Sequence, residues 1–265
     1  MGTVVNAKTA LVLSAGGIFG AYQAGVWKEL SAYMQPDLIV GTSAGALNGW
    51  AIAGGCPPEE LIRYWTDESA ANFLRRRTPM VPWRGYFDPD SFSKQVREWF
   101  QKFRPRLPIG IVLTDALRLR PLLVRSEEIT WEHLAAACAI PIVVPPVRIG
   151  GRWYVDGGLL DVMPVWAAAE MGASTAIAVN ALPVLPSRVL RAGAKAIRWI
   201  RPKGPGGGTM EVIRIAPTQS LGTLEESVRW SRENVLRYVE QGAADARRVM
   251  AAQLSGRDWH SRVLQ

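Results

Sequence analysis

Short apolar runs that end in glycine alternate with stretches of helical periodicity along most of the chain. Thr9 to Leu13 is a β-prone run closing on Ser14-Ala15-Gly16-Gly17, which predicts a buried strand feeding a glycine turn. Tyr22, Val26, Leu30 and Tyr33 then recur at helical spacing until Pro36 stops the pattern. Leu38-Ile39-Val40 is short and wholly apolar, as a central strand would be, and it runs directly into Gly41-Thr42-Ser43. Ala44 to Ala53 predicts the next helix, closed by Gly54-Gly55 and the Pro57-Pro58 pair.

Further on, strands are predicted over 109–114, 122–124, 173–179 and 211–215, with a short helix from Thr130 to Ala139 that Thr130 caps. Val147 to Ile149 and Trp153 to Val155 flank Gly150-Gly151, a hairpin signal that delivers Asp156 on a turn. Ser227 to Leu254 predicts a long helix, or a helical pair bent near Gly242. This alternation of strands and helices predicts an α/β fold, three layers α/β/α around a central, mainly parallel sheet, in one domain over residues 1–265.

Two stretches break the pattern. Residues 59–106 are helical and irregular, with Arg75-Arg76-Arg77 and the aromatic residues Trp83, Tyr86 and Phe87, and predict a cap or entrance region. In 186–209, Arg188, Arg191, Lys195, Arg198 and Arg201 fall on one helical face, with Val189, Leu190, Ile197 and Ile200 mostly opposite. That face fits a solvated surface helix, the commoner use of such a pattern, or a helix lying on an anionic membrane. Pro202 ends it, and Gly204 to Thr209 reads as a flexible loop.

Composition narrows the partners. The net charge of +8 suits nucleic acid, an anionic lipid surface or an acidic substrate, and eleven tryptophans tilt the balance towards lipid, because Trp settles at headgroup boundaries. No nucleic-acid motif and no zinc spacing occur, so neither nucleic acid nor a metal is expected. Cys56 and Cys138 are far apart and match no ligand or redox spacing, which fits buried apolar residues in a reducing compartment. The first residues lack the basic start and apolar run of a secretory signal, and Pro141, Pro145 and Pro146 interrupt the longest apolar stretch. A cytoplasmic protein, peripheral at most to a membrane, is therefore expected.

The candidate chemistry lies in three loops. Gly41-Thr42-Ser43-Ala44-Gly45 places a serine between a strand and a helix, where Gly41 and Gly45 relieve crowding and the helix N-terminus favours a developing oxyanion. The Gly16-Gly17 turn can aim backbone N–H groups into the same site, since glycine tolerates positive φ. Asp156, before Gly157 and Gly158, is the carboxylate best placed by local structure to take the serine proton, although Asp-Gly-Gly is also an ordinary turn. The two histidines offer less: His133 lies in a predicted helix and His260 in a polar tail.

Taken together, these residues resemble the patatin-like phospholipases, serine lipid acyl hydrolases with a Ser-Asp dyad. Leu13 to Gly25 is similar to the family's oxyanion loop and first helix, Val40 to Asn48 to its nucleophile elbow, and Tyr154 to Pro164 to the block that carries the acid. Ala176 to Asn180 and Ser231 to Ala244 also look familial. The resemblance implies Ser43 as nucleophile, Asp156 as base, and backbone N–H groups of Gly16, Gly17 and Ile18 as the oxyanion hole, with no cofactor. Ala15 stands where the family loop has its first glycine, Phe19 where it has Arg or Lys, and Asp161 where Asn is frequent. Losing the cation at Phe19 shifts the expected substrate towards neutral esters, lysolipids or monoacyl lipids.

The implied activity is hydrolysis of carboxylic esters of (phospho)lipids or lysolipids through an acyl-enzyme. Two alternatives stay open: an α/β-hydrolase esterase with a Ser43-Asp156-His260 triad, and a non-catalytic lipid-surface protein on a degenerate hydrolase fold. Transfer of the acyl group to an acceptor other than water is also compatible with the sequence.

Overall fold

The structure is a computed structural model that describes residues 7–68, 89–141, 143–182, 210–223 and 225–255. Along the chain these form β1 (Thr9–Leu13), α1 (Gly20–Leu30), β2 (Leu38–Gly41), α2 (Ala44–Ala53), α3 (Pro58–Thr66) and α4 (Pro89–Lys102). There follow β3 (Ile109–Asp115), β4 (Arg120–Arg125), α5 (Trp131–Ala137), β5 (Val147–Ile149) and β6 (Arg152–Asp156). The last elements are α6 (Val165–Glu170), β7 (Thr175–Val179), β8 (Glu211–Ile215) and α7 (Arg232–Ser255). The strands make one eight-stranded sheet in the order β5-β6-β3-β2-β1-β7-β8, with β4 also paired to β3. The arginine triplet, the aromatic residues at 83–87, the basic stretch 186–209 and His260 lie outside the described residues.

The fold is a three-layer α/β/α sandwich. Strand β1 shows why its run carries no polar alternation: Leu11 and Leu13 enter the larger core with α1, α2 and α7, while Ala10 and Val12 enter a second core with α6. A strand covered on both faces has no side to leave polar. Helix α7 continues unbroken through Gly242, so the single long helix holds and the bent pair does not. A Cβ at Gly242 would come within 2.1 Å of the Tyr22 carbonyl oxygen, and one at Gly25 within 2.0 Å of that of Val239, so these glycines let α1 and α7 approach backbone to backbone. Among the described residues no helix is long and apolar enough to cross a membrane.

The feature that positions the site is the edge usage of β3. Its antiparallel partner β4 covers Gly110 to Asp115, and both β2 (at Ile109 to Ile111) and β6 (at Leu113 to Asp115) pair with part of the same length. A strand has two edges, so β2 and β6 must share the one that β4 leaves. β2 runs parallel to β3 and β6 antiparallel, so their C-termini meet end to end: Gly41 is level with Ile111, and Asp156 with Leu113.

Candidate active site

The turn that follows β2 carries strain. Ser43 has φ 54° and ψ −131°, and among the described residues only Leu119 joins it as a non-glycine with positive φ. Such a conformation costs about 1–3 kcal/mol and persists only where the surroundings enforce it. Here the enforcement is steric and hydrogen-bonded. A Cβ at Gly41 would lie 2.2 Å from the Gly45 carbonyl oxygen, and one at Gly45 would lie 2.4 Å from that of Leu13. The Thr42 N–H donates to Leu13 O at 3.3 Å, and the Ala46 N–H to Ser43 O at 2.8 Å. The Ser43 side chain makes no cap to its own helix, which leaves the hydroxyl available to the opposite strand end.

That strand end is Asp156. The Thr42 hydroxyl donates to Val112 O at 3.0 Å, in the gap of β3 between the residues level with Gly41 and Asp156. Gly157 fits against the same gap, since its Cβ would meet Val112 O at 2.2 Å and Thr42 Oγ1 at 2.5 Å. Asp156 is held by its own N–H donating to Ala139 O at 3.0 Å, and its Oδ1 accepts from the Gly158 N–H at 2.6 Å. Burial pushes its pKa up from 3.8 to about 7, and hydrogen bonds from the Ser43 hydroxyl and the Gly158 N–H offset part of that rise. The structure thus brings Ser43 and Asp156 together, both nearly fully buried.

The glycine loop is only partly as expected. Gly17 takes φ 55°, and a Cβ there would lie 2.3 Å from the Ser227 carbonyl oxygen. The same carbonyl accepts the Ile18 N–H at 2.8 Å. Ile18 is therefore corrected as a free donor: a segment distant in sequence has taken its hydrogen. Among the described residues no acceptor meets the N–H groups of Gly16, Gly17 or Ala44. Phe19 turns into the core and packs edge-on against Tyr238, with ring centres 5.1 Å apart, so it does not face the site. Ala15 packs where a Cβ at Gly158 would be 2.6 Å away, and Asp161 accepts from the Trp166 indole N–H at 2.8 Å.

A cavity of about 550 Å³ opens from Gly17, Ser43 and Ala44. Leu47, Phe92, Trp99, Ile140, Val143 and Val144 give it an apolar wall, and α4 adds Lys94, Glu98 and Lys102. Asn48 and Trp65 line it too, as part of a polar chain that the sequence did not single out. The Asn48 amide donates to Gly20 O and to Gln23 Oε1, both at 2.9 Å, and its Oδ1 accepts from the Trp65 indole at 2.9 Å. The Gln23 amide in turn donates to Ser14 O at 2.7 Å, so buried side chains of α1 and α2 brace the glycine loop. Their only signal was a polar residue within an otherwise apolar helical stretch.

His133 is not part of this arrangement: its Nδ1 accepts from the Thr130 N–H at 3.1 Å in a capping box at the start of α5. Burial holds its pKa below the usual value. Cys56 and Cys138 are free thiols. Among the described residues no three His, Cys, Asp or Glu side chains gather as metal ligands would.

Patatin-like phospholipase domain-containing protein 6 of mouse (Mus musculus) is 28% identical over 185 residues, covering 64% of this chain and 13% of that protein. An uncharacterized NTE family protein of Mycobacterium tuberculosis is 28% identical over 177 residues, covering 65% of this chain and 49% of its own. The chain therefore spans an eighth to a half of the length of these relatives. VipD from Legionella pneumophila has a similar fold, with a TM-score of 0.55 at 13% identity, over 93% of this chain and 67% of VipD. The profile of the patatin-like phospholipase family matches residues 11–169, and the chain belongs to that family.

Proposed function

We propose that the chain is a lipid acyl hydrolase that cleaves carboxylic esters with a Ser43-Asp156 dyad. One observation carries this reading: a strained serine beside a buried carboxylate whose pKa, about 7, suits proton transfer near neutrality. Membership of a phospholipase family supports a lipid substrate, and the apolar cavity wall suits an acyl chain.

In the first step Ser43 Oγ attacks the ester carbonyl carbon while its proton passes to Asp156. The carbonyl oxygen becomes an oxyanion, held by the N–H groups of Gly17 and Ala44, with that of Gly16 beside them. Collapse expels the alcohol, which takes the proton from Asp156 and leaves an acyl-Ser43 ester. Water then attacks that ester as Asp156 accepts its proton. The second collapse releases the fatty acid, and Ser43 recovers its hydrogen.

Ser43→Ala and Asp156→Asn are each expected to lower ester hydrolysis by at least about 1,000-fold. A fluorophosphonate probe should label Ser43 in the unaltered protein and nothing in Ser43→Ala. Hydrolysis retained by Asp156→Asn overturns the dyad, and absence of any Ser43 adduct in folded protein overturns the enzyme.

A further inference from the structure

We propose that two adjacent hairpins at the carboxyl end of the sheet dock this protein onto an anionic bilayer. This rests on the reading of the chain as a lipid hydrolase for its purpose, though not for its test. Seven large apolar side chains are exposed among the described residues, and four of them, Leu117, Leu119, Leu122 and Trp153, belong to these hairpins.

The β3–β4 and β5–β6 hairpins are neighbours, joined by β3–β6 pairing and by the Ala116 N–H donating to Trp153 O at 2.9 Å. Both tips point the way β3 points, because β6 runs against β3 and β5 against β6. Leu113 is level with Asp156, and β3 runs two residues further, roughly 7 Å at about 3.3 Å per residue, before the turn that carries Leu117. The tips therefore project from the end of the sheet that carries Ser43 and Asp156.

The β3–β4 tip is built to hold leucines outward. Asp115 Oδ1 accepts from the N–H groups of Leu117 and Arg118, at 3.1 and 3.0 Å, and Asp115 O accepts from that of Leu119 at 2.9 Å. Leu117 is 80% exposed, and Leu119 is 58% exposed at φ 49°. That conformation favours glycine or asparagine, and solvent disfavours leucine, so neither the turn nor the core accounts for this residue. A preformed turn also inserts without losing conformational freedom on binding.

The charges around the leucines define the partner. Arg118, Arg120, Arg148 and Arg152 are all exposed on the two hairpins. Arg118 lies 3.8 Å from Asp115, and the Arg148 guanidinium sits over the Trp153 ring at 5.9 Å. Among the described residues no carboxylate pairs with Arg120, Arg148 or Arg152. Leucine tips, a tryptophan and unpaired guanidinium groups together match the acyl boundary and anionic headgroups of a bilayer.

The test is co-sedimentation with vesicles of phosphatidylcholine alone and of phosphatidylcholine mixed with phosphatidylglycerol. Ser43→Ala protein is used as the background, so binding is read whether or not the catalytic reading holds. The background protein should prefer the anionic vesicles. Leu117→Ser with Leu119→Gly should weaken partitioning by at least about 10-fold, and Arg120→Gln with Arg148→Gln and Arg152→Gln by about 100-fold. The same changes with Ser43 intact should leave hydrolysis of a soluble short-chain ester within about two-fold, which reports a folded site. Equal binding by background and leucine variants overturns the proposal and assigns any affinity to another surface. No binding to anionic vesicles overturns it too.

Discussion

The two halves of the sheet are built differently, and the candidate site lies on their boundary. In the parallel half, β1, β2, β7 and β8 are short crossover strands, and β1 and β2 are almost wholly buried. In the antiparallel half, β4 alternates between exposed and covered positions, and both hairpin tips reach solvent. The first half supplies a strained serine in a crowded turn, where Gly41 and Gly45 leave no room for a side chain. The second supplies Asp156 on a strand whose place depends on pairing with β3. Strain is stored where packing is continuous, and the tunable carboxylate sits where a register decides what it faces.

The sharpest way to separate the halves is to remove the charge from the antiparallel one. Asp156 has its pKa raised from 3.8 to about 7, so the folded protein binds this proton more tightly than the unfolded chain does. Stability from this group is therefore full below about pH 4 and is lost as pH rises towards 7, by on the order of 4 kcal/mol. Activity runs the other way, because the base must be ionised: kcat/KM should fall about 10-fold per pH unit below about 7. Asp156→Asn should accordingly melt higher than the unaltered protein at pH 8, with that advantage cut by more than half at pH 5 and nearly gone below about pH 4, while remaining inactive. A melting difference independent of pH would show that the carboxylate is not buried against its charge.

A smaller change attacks the boundary itself. Thr42 belongs to the parallel half and its hydroxyl donates to Val112 O across the gap that Gly157 also fills. Thr42→Val keeps the shape and leaves that carbonyl without its partner, at a cost of about 1–2 kcal/mol in a thermal or denaturant melt. If the bond aligns Ser43 with Asp156, kcat should drop about 10-fold with KM little changed. Lost stability with full kcat would make Thr42 a structural tie only.

How much the sequence disclosed follows the same division. The Ser43 elbow was legible because its glycine pattern lies within five residues, Gly41 to Gly45, although the Leu13 carbonyl that crowds Gly45 and accepts the Thr42 N–H lies on another strand. The Asp156 turn was legible locally through Gly157 and Gly158, but its partnership with Ser43 came through family resemblance, since no local pattern shows that β2 and β6 share an edge. Ile18 misled for the reverse reason: the loop looked free until Ser227, far along the chain, accepted its N–H. Gly242 left a single helix and a bent pair both open and is a point of contact, because a close approach of two helices leaves no mark on either one alone. Asn48 and Gln23 could not be told from surface residues without the loop carbonyls and side chains they serve.

The smallest effect is expected at His133, on the helix packed beside β3 and β6. Its Nδ1 accepts the Thr130 N–H in the capping box of α5, a role that requires an unprotonated ring nitrogen. His133→Ala should cost about 0.5–1 kcal/mol in a melt at pH 8 and leave ester hydrolysis within about two-fold. Because burial lowers the imidazole pKa below its ordinary 6.5, its contribution is present above that value and lost as pH falls through the folded pKa, opposite in sign to Asp156. The difference between His133→Ala and the unaltered protein should therefore shrink in acid. A large loss of hydrolysis in His133→Ala would instead place an imidazole in the chemistry and break the division between a dyad at the boundary and a cap outside it.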